Sequence, residues 1–83
     1  MIITIYSTTT CPYCKMIKDY FVEKNITFSE KLVDIDDAAR TEMMTNSGGF
    51  LGVPFTTIAL DTGKKETILG FDKGRINTIL GIT

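Results

Sequence analysis

The chain opens MIITIYSTTTCPYCKMIKDYF, residues 1 to 21, and the rest of the molecule is read outward from this stretch. Residues 1–6 are β-branched and aromatic with no breaker, which predicts a strand. The apolar run does not alternate with polar residues, so the strand is expected to be central and covered on both faces. From about residue 13 to residue 24 the pattern changes. Tyr13, Met16, Ile17, Tyr20 and Phe21 are separated by Lys15, Lys18, Asp19 and Glu23, which is helical spacing. Pro12 stands where a first helical turn starts, and its fixed φ and missing N–H cost nothing there. Asn25 is placed to break the helix. Both cysteines of the chain, Cys11 and Cys14, lie where the strand hands over to the helix. The carboxyl end of a strand beside a helix N-terminus is where α/β folds tend to place their sites.

Residues 26–33 read as a second strand. The acidic run Asp34, Ile35, Asp36, Asp37 then precedes a helix expected over residues 38–46. Such a run suits a helix N-cap and the positive end of the helix dipole. A divalent-metal site is the alternative, but no further ligands follow at calcium-loop spacing. Met43 and Met44 are expected as core filler. Ser47, Gly48 and Gly49 end the helix. Residues 55–60 form a third strand, residues 61–64 a hairpin turn, and residues 65–69 a fourth strand. Asp72 looks like the N-cap of a last helix with Ile76, Ile79 and Leu80 facing inward, locally weakened by Gly74. The order is βαβαββα. A right-handed parallel crossover at the start and an antiparallel hairpin at the end give an α/β, four-stranded mixed sheet flanked by three helices. No repeat, low-complexity tract or linker interrupts it, so residues 1–83 are expected to form one domain.

Composition narrows the function. At 83 residues the chain suits one small domain with a modest core. Its hydrophobic fraction of 43% and charged fraction of 23% are those of an ordinary globular protein. Nine basic and ten acidic residues are well mixed, for a net charge of -1. No basic stripe points to nucleic acid and no polybasic cluster to an anionic membrane. The N-terminal apolar stretch lacks a cationic flank and is too short for a signal peptide, and no window reaches membrane-span length. A cytoplasmic, monomeric protein is expected, in a compartment that keeps thiols mostly reduced. Histidine is absent, which removes Cys–His pairs, Ser–His–Asp triads and His-ligated metals.

Three uses of Cys11 and Cys14 compete. As a staple the pair is weak, because so short a loop contributes only about 2 kcal/mol before strain. As a structural zinc site it supplies two ligands of four, and no second pair completes it. A site shared across a dimer, or an iron–sulfur cluster completed by an external thiol, stays open, although Pro12 and Tyr13 would crowd a cluster. No metal is expected. As a redox centre the spacing fits. Residues i and i+3 of a first helical turn lie on one side, within disulfide reach. Cys11 falls at the helix start, where the N–H groups of Tyr13 and Cys14 and the helix dipole favour a thiolate. Cys14 lies one turn in, more shielded, placed to attack a mixed disulfide formed on Cys11. Lys15 and Lys18 add positive potential.

CPYC after a first strand, Val53-Pro54 before a third strand, and Gly70-Phe71-Asp72 before a last helix together resemble a glutaredoxin. The resemblance spans essentially the whole chain. It implies the thioredoxin fold and a glutathione-dependent oxidoreductase acting on protein disulfides and protein–glutathione mixed disulfides in cell redox homeostasis. It implies Cys11 as nucleophile and Cys14 as resolving thiol. It further implies that Pro54 is cis and faces Cys11, and that the Val53 backbone pairs with bound glutathione. By itself, a Val-Pro pair reads as the start of a strand. Gly70, Phe71 and Asp72 match the segment that holds the γ-glutamyl end. N–H groups at a helix start suit its carboxylate, and Asp72 suits its ammonium. Tyr13 would flank the tripeptide. Two positions depart from the pattern. Thr8 stands where many glutaredoxins carry a lysine, and Phe71 replaces the second glycine of a usual pair. Gly-Phe there also resembles redoxins that serve ribonucleotide reductase and draw electrons from thioredoxin reductase. Those usually lack the Pro-Tyr pair.

Overall fold

The β-branched opening run forms strand β1, Ile2–Ser7, in a computed structural model that describes residues 1–49 and 52–81. Helix α1, Pro12–Glu23, follows, with Pro12 in its first turn as the sequence predicts. Strand β2 is Ser29–Leu32, helix α2 is Asp37–Ser47, and strands β3 and β4 are Phe55–Ala59 and Lys65–Leu69. Helix α3, Lys73–Leu80, closes the order βαβαββα. The sheet runs β2-β1-β3-β4, with β1 and β2 parallel and the other two pairs antiparallel. The strand read as central is therefore flanked on both sides.

Local chemistry sets the helix ends. Asn25 takes a positive φ of 58° just past α1, and Ile26 N–H returns to Phe21 O at 2.8 Å. Asp36 caps α2, its carboxylate accepting the N–H groups of Ala38 at 3.0 Å and Ala39 at 3.2 Å. The acidic run is thus a cap. Gly48 ends α2 at φ +72°, a left-handed conformation that strains any residue with a Cβ.

The sheet divides the core in two. On one face Ile3, Ile5, Ile58 and Ile68 meet Ile17, Tyr20 and Phe21 of α1 and Ile76 of α3, with Phe71, Ile79 and Leu80 packed against them. Phe21 is fully buried there, and truncating it to alanine costs about 3–5 kcal/mol. On the other face Tyr6 and Phe55 meet Met43 of α2 in a smaller cluster. A polar network covers that cluster. The Tyr6 hydroxyl donates to Glu42, whose two oxygens take Lys31 Nζ at 2.8 and 2.7 Å. Asn46 Nδ2 donates to the Tyr6 oxygen at 3.3 Å. Burial first, then the Glu42 carboxylate, pushes the Tyr6 hydroxyl up to about 12.

Three expectations are corrected. Strand β2 begins at Ser29, because β1 offers it a partner only from Thr4 onward, and Ile26 and Phe28 pack on the core without pairing. The buried stripe of α1 is Cys14, Ile17, Tyr20 and Phe21, which turns Tyr13 and Met16 out to solvent, 62% and 47% exposed. Met44 is also exposed, since consecutive helical residues point about 100° apart and Met43 takes the inward position.

Candidate redox site

Strand direction gathers the site. Tyr6 of β1 pairs with Phe55 of β3, which pairs with Leu69 of β4. Strands β1 and β4 therefore end, and β3 begins, at one edge of the sheet. Strand β2 ends there too, with Val33 N–H bonded to Ser7 O at 2.9 Å. Four segments open on that edge: residues 8–11, 33–34, 53–54 and 70–72. Two ties join them. Gly70 N–H donates to Pro54 O at 2.8 Å. The N–H and hydroxyl of Thr9 donate to one Asp34 oxygen at 3.1 and 2.7 Å, which holds the Asp34 carboxyl below its usual range.

Cys11 is the N-cap of α1, with extended backbone at φ -97° and ψ 109°. The Cys14 N–H donates to Cys11 Sγ at 3.1 Å. An N-cap normally offers an oxygen to these orphan N–H groups. Here a sulfur takes that place, so the donors that cap the helix also stabilise negative charge on the sulfur. The two cysteines form a disulfide with their Cα atoms 5.2 Å apart. Cys14 is buried at 1% exposure and Cys11 is half-buried, so one sulfur faces the solvent side and the other is enclosed. An open groove of about 570 Å³ beside Cys11 is lined by the threonines 8 to 10, Pro12, Lys15, Lys18 and Asp19.

The positive potential expected from Lys15 and Lys18 is largely compensated. Lys15 pairs with Asp19 at 2.8 Å. Lys18 pairs with Glu30, which also accepts the hydroxyl of buried Ser7 at 2.7 Å. Partial burial opposes ionisation of Glu30, but Lys18 and Ser7 together outweigh it and hold the carboxyl below its usual range. The N–H groups at the α1 N-terminus, one of them 3.1 Å from Cys11 Sγ, are not offset in this way.

The remaining residues singled out in the sequence lie at the same edge. The Val53-Pro54 bond is cis, as the resemblance implies and the plain strand reading does not. Gly70 sits at φ +73°, where a side chain is strained, and its N–H reaches Pro54. Asp72 caps α3, accepting the Arg75 N–H at 3.1 Å. Phe71 turns inward, its ring 5.9 Å from that of Tyr20. Tyr13 stands exposed beside the cysteines. Sequence reasoning missed the Thr9–Asp34 tie. Its partners are 25 positions apart and only the β1–β2 pairing brings them together. It also missed the role of Tyr20 beneath Phe71, where the helical spacing announced no more than a core residue.

Among the described residues no three Cys, Asp or Glu side chains cluster to hold a metal ion. No described helix is long and apolar enough to cross a membrane.

Comparison with known proteins agrees with this geometry. A family model described as Glutaredoxin matches residues 3–59. A glutaredoxin-like 8.6 kDa protein of the rubredoxin operon of Clostridium pasteurianum is 38% identical over 78 residues, spanning 94% of this chain and 96% of that protein. Among solved structures, the thioredoxin-like protein BC3987 superposes with a TM-score of 0.78 at 25% identity, over 93% of this chain and 97% of that one. The glutaredoxin-like NrdH-redoxin of Escherichia coli, described as having a thioredoxin-like activity profile, superposes with a TM-score of 0.75 at 28% identity over 95% of both chains. The fold is the thioredoxin fold, and Cys11 and Cys14 are its CxxC pair.

Proposed function

The chain belongs to the glutaredoxin family, and from that premise we propose that it is a glutathione-dependent thiol–disulfide oxidoreductase working through Cys11 and Cys14. The observation that carries this reading is the asymmetry of the pair. Cys11 caps α1 with a helix N–H on its sulfur, while Cys14 is enclosed one turn further in.

The chemistry follows from that asymmetry. The Cys11 thiolate attacks one sulfur of a substrate disulfide. A Cys11–substrate disulfide forms, the substrate bond breaks, and the departing thiolate takes a proton. Cys14, once deprotonated, attacks Cys11 Sγ and closes the Cys11–Cys14 bond, releasing the second substrate thiol. The substrate has gained two electrons and the pair has lost them. Two glutathione molecules return the pair to dithiol and leave as glutathione disulfide. With a glutathione mixed disulfide on Cys11, a second glutathione resolves it without Cys14.

In this reading bound glutathione lies along the Val53 backbone beside cis-Pro54. Its γ-glutamyl carboxylate meets the N–H groups that open α3, and its ammonium meets Asp72, with Tyr13 on the flank. Gly70 and Phe71 shape that end. The chain acts as one domain over residues 1–83, as a cytoplasmic monomer on glutathionylated or disulfide-containing proteins.

A second reading draws electrons from thioredoxin reductase, as a redoxin of the ribonucleotide-reductase donor type. Thr8 in place of a lysine, inward-turned Phe71 and likeness to the E. coli NrdH-redoxin favour it. Parallel assays decide. One couples reduction of a glutathione mixed disulfide to glutathione reductase and NADPH; the other replaces the donor with thioredoxin reductase. Turnover only in the first supports the leading reading, and turnover only in the second replaces it. An iron–sulfur-binding module is a third class. Visible absorption of protein purified without air tests it, a colourless product ruling it out.

A further inference from the structure

Tyr20 joins the helix that carries the cysteines to the helix that Asp72 caps. It lies on α1, nearly buried, and makes three separate contacts across to the α3 side. Its hydroxyl donates to Asn77 Oδ1. Its ring meets the Phe71 ring at 5.9 Å, tilted by 60°. The Lys73 ammonium stands 5.2 Å over the same ring, and Lys24 of α1 stands 5.7 Å over it. Positions 71 and 73 bracket Asp72, and 77 follows 73 at the one-turn spacing that keeps both on one side of the helix.

The sheet alone does not fix where Asp72 sits. Residues 70–72 follow β4 and, among the described residues, are tied to the sheet end through Gly70 N–H on Pro54 O, just before β3, while the hydrogen bonds of Asp72 run to α3, from Arg75 N–H and Ile76 N–H. A segment so lightly tied is positioned by what its side chains pack on, and Phe71 packs on Tyr20. The Lys73 contact acts in the same sense. Lys73 and Asp72 are adjacent at the helix start, where neighbouring side chains do not face each other. An ammonium drawn over an aromatic face is attracted to the ring quadrupole. Among the described residues no ion pair engages Asp72, which leaves its second oxygen open to an incoming ammonium.

We infer that Tyr20 is a positioning residue: through Phe71 and Lys73 it holds residues 70–72 in the place that receives the cationic end of a small thiol substrate. This rests on the glutathione reading above. Among the described residues the hydrogen bond of Tyr20 and its ring contacts run to residues other than the cysteines, so it sets substrate affinity and leaves the sulfur chemistry alone.

Kinetics of Tyr20→Leu, Tyr20→Phe and Phe71→Ala test it, in whichever of the two coupled assays the wild type turns over. Tyr20→Leu and Phe71→Ala each raise KM about threefold or more, with kcat and the Cys11 thiol pKa held within about twofold and a few tenths of a unit. Tyr20→Phe, which keeps the ring, stays close to wild type. The double variant adds little to Tyr20→Leu alone, because that change already removes the ring contact that Phe71→Ala removes. Hydrogen exchange at the Arg75 amide, which Asp72 caps, quickens in the same two variants and reads the hold without turnover. Should Tyr20→Leu fold poorly, Phe71→Ala removes the ring contact from the other side. Unchanged KM and unchanged Arg75 exchange overturn the inference, as does a fully additive double variant. Wild-type turnover with thioredoxin reductase alone removes the glutathione reading; the Arg75 exchange and the cycle then still decide whether Tyr20 holds the segment.

Discussion

The backbone N–H of Cys14 points at the sulfur of Cys11 from 3.1 Å, so in the reduced pair the second cysteine's own backbone is placed to support negative charge on the first sulfur. The N–H is backbone and survives substitution of the Cys14 side chain. The two sulfurs are therefore separable by mutation. Cys11→Ser abolishes all turnover. Cys14→Ser retains reduction of glutathione mixed disulfides and loses reduction of dithiol protein disulfides. Steady-state assays on both substrate types check this, and Cys11→Ser turnover above background contradicts the assignment of the nucleophile.

Thr8 lines the groove beside Cys11, where a cation would meet a glutathione carboxylate. Restoring a lysine there adds one exposed ion pair, worth about 0.5–1 kcal/mol. Thr8→Lys accordingly lowers KM for glutathione mixed disulfides about two- to fivefold, leaves kcat unchanged, and loses the gain in high salt. A KM that does not move places the tripeptide elsewhere.

Tyr6 couples stability to alkaline pH. Its hydroxyl is raised from 10.0 to about 12 by burial and by Glu42, so the folded chain holds this proton more tightly than the unfolded one. That contribution is fully present below pH 10 and is lost as pH rises through about 12. Urea unfolding across this window shows a steeper fall for the wild type than for Tyr6→Phe, by up to about 2 kcal/mol. Parallel curves contradict the assignment.

Thr56 is fully buried between Ile5 and Ile68, and its hydroxyl finds no partner among the described residues. An unsatisfied buried hydroxyl costs about 1–3 kcal/mol, and valine has nearly the same shape without it. Thr56→Val raises stability by about 1 kcal/mol, or about 4–8 °C in Tm for a domain of this size. A lower Tm means that the hydroxyl is satisfied in solution.

Much of this was legible from residues alone because the signals were local. The apolar run of β1, Pro12 at the start of α1, Asp36 and Asp72 as caps, and the hairpin turn each act within a few positions. The cysteine pair was legible for the same reason, since an i, i+3 pair at a helix start needs no long-range contact. What stayed hidden depends on tertiary placement. The side of α1 that faces the sheet turned Tyr13 and Met16 outward, and the β1–β2 register brought Thr9 to Asp34. The cis bond at Pro54 entered only through the family resemblance, because no local pattern separates it from an ordinary strand start.

The most direct test of the central claim is the intact mass of Cys14→Ser after brief exposure to glutathione disulfide. The account predicts one glutathionyl adduct, formed rapidly, mapping to Cys11 and removed by added glutathione. No adduct, or equally fast labelling of Cys14 in Cys11→Ser, contradicts it.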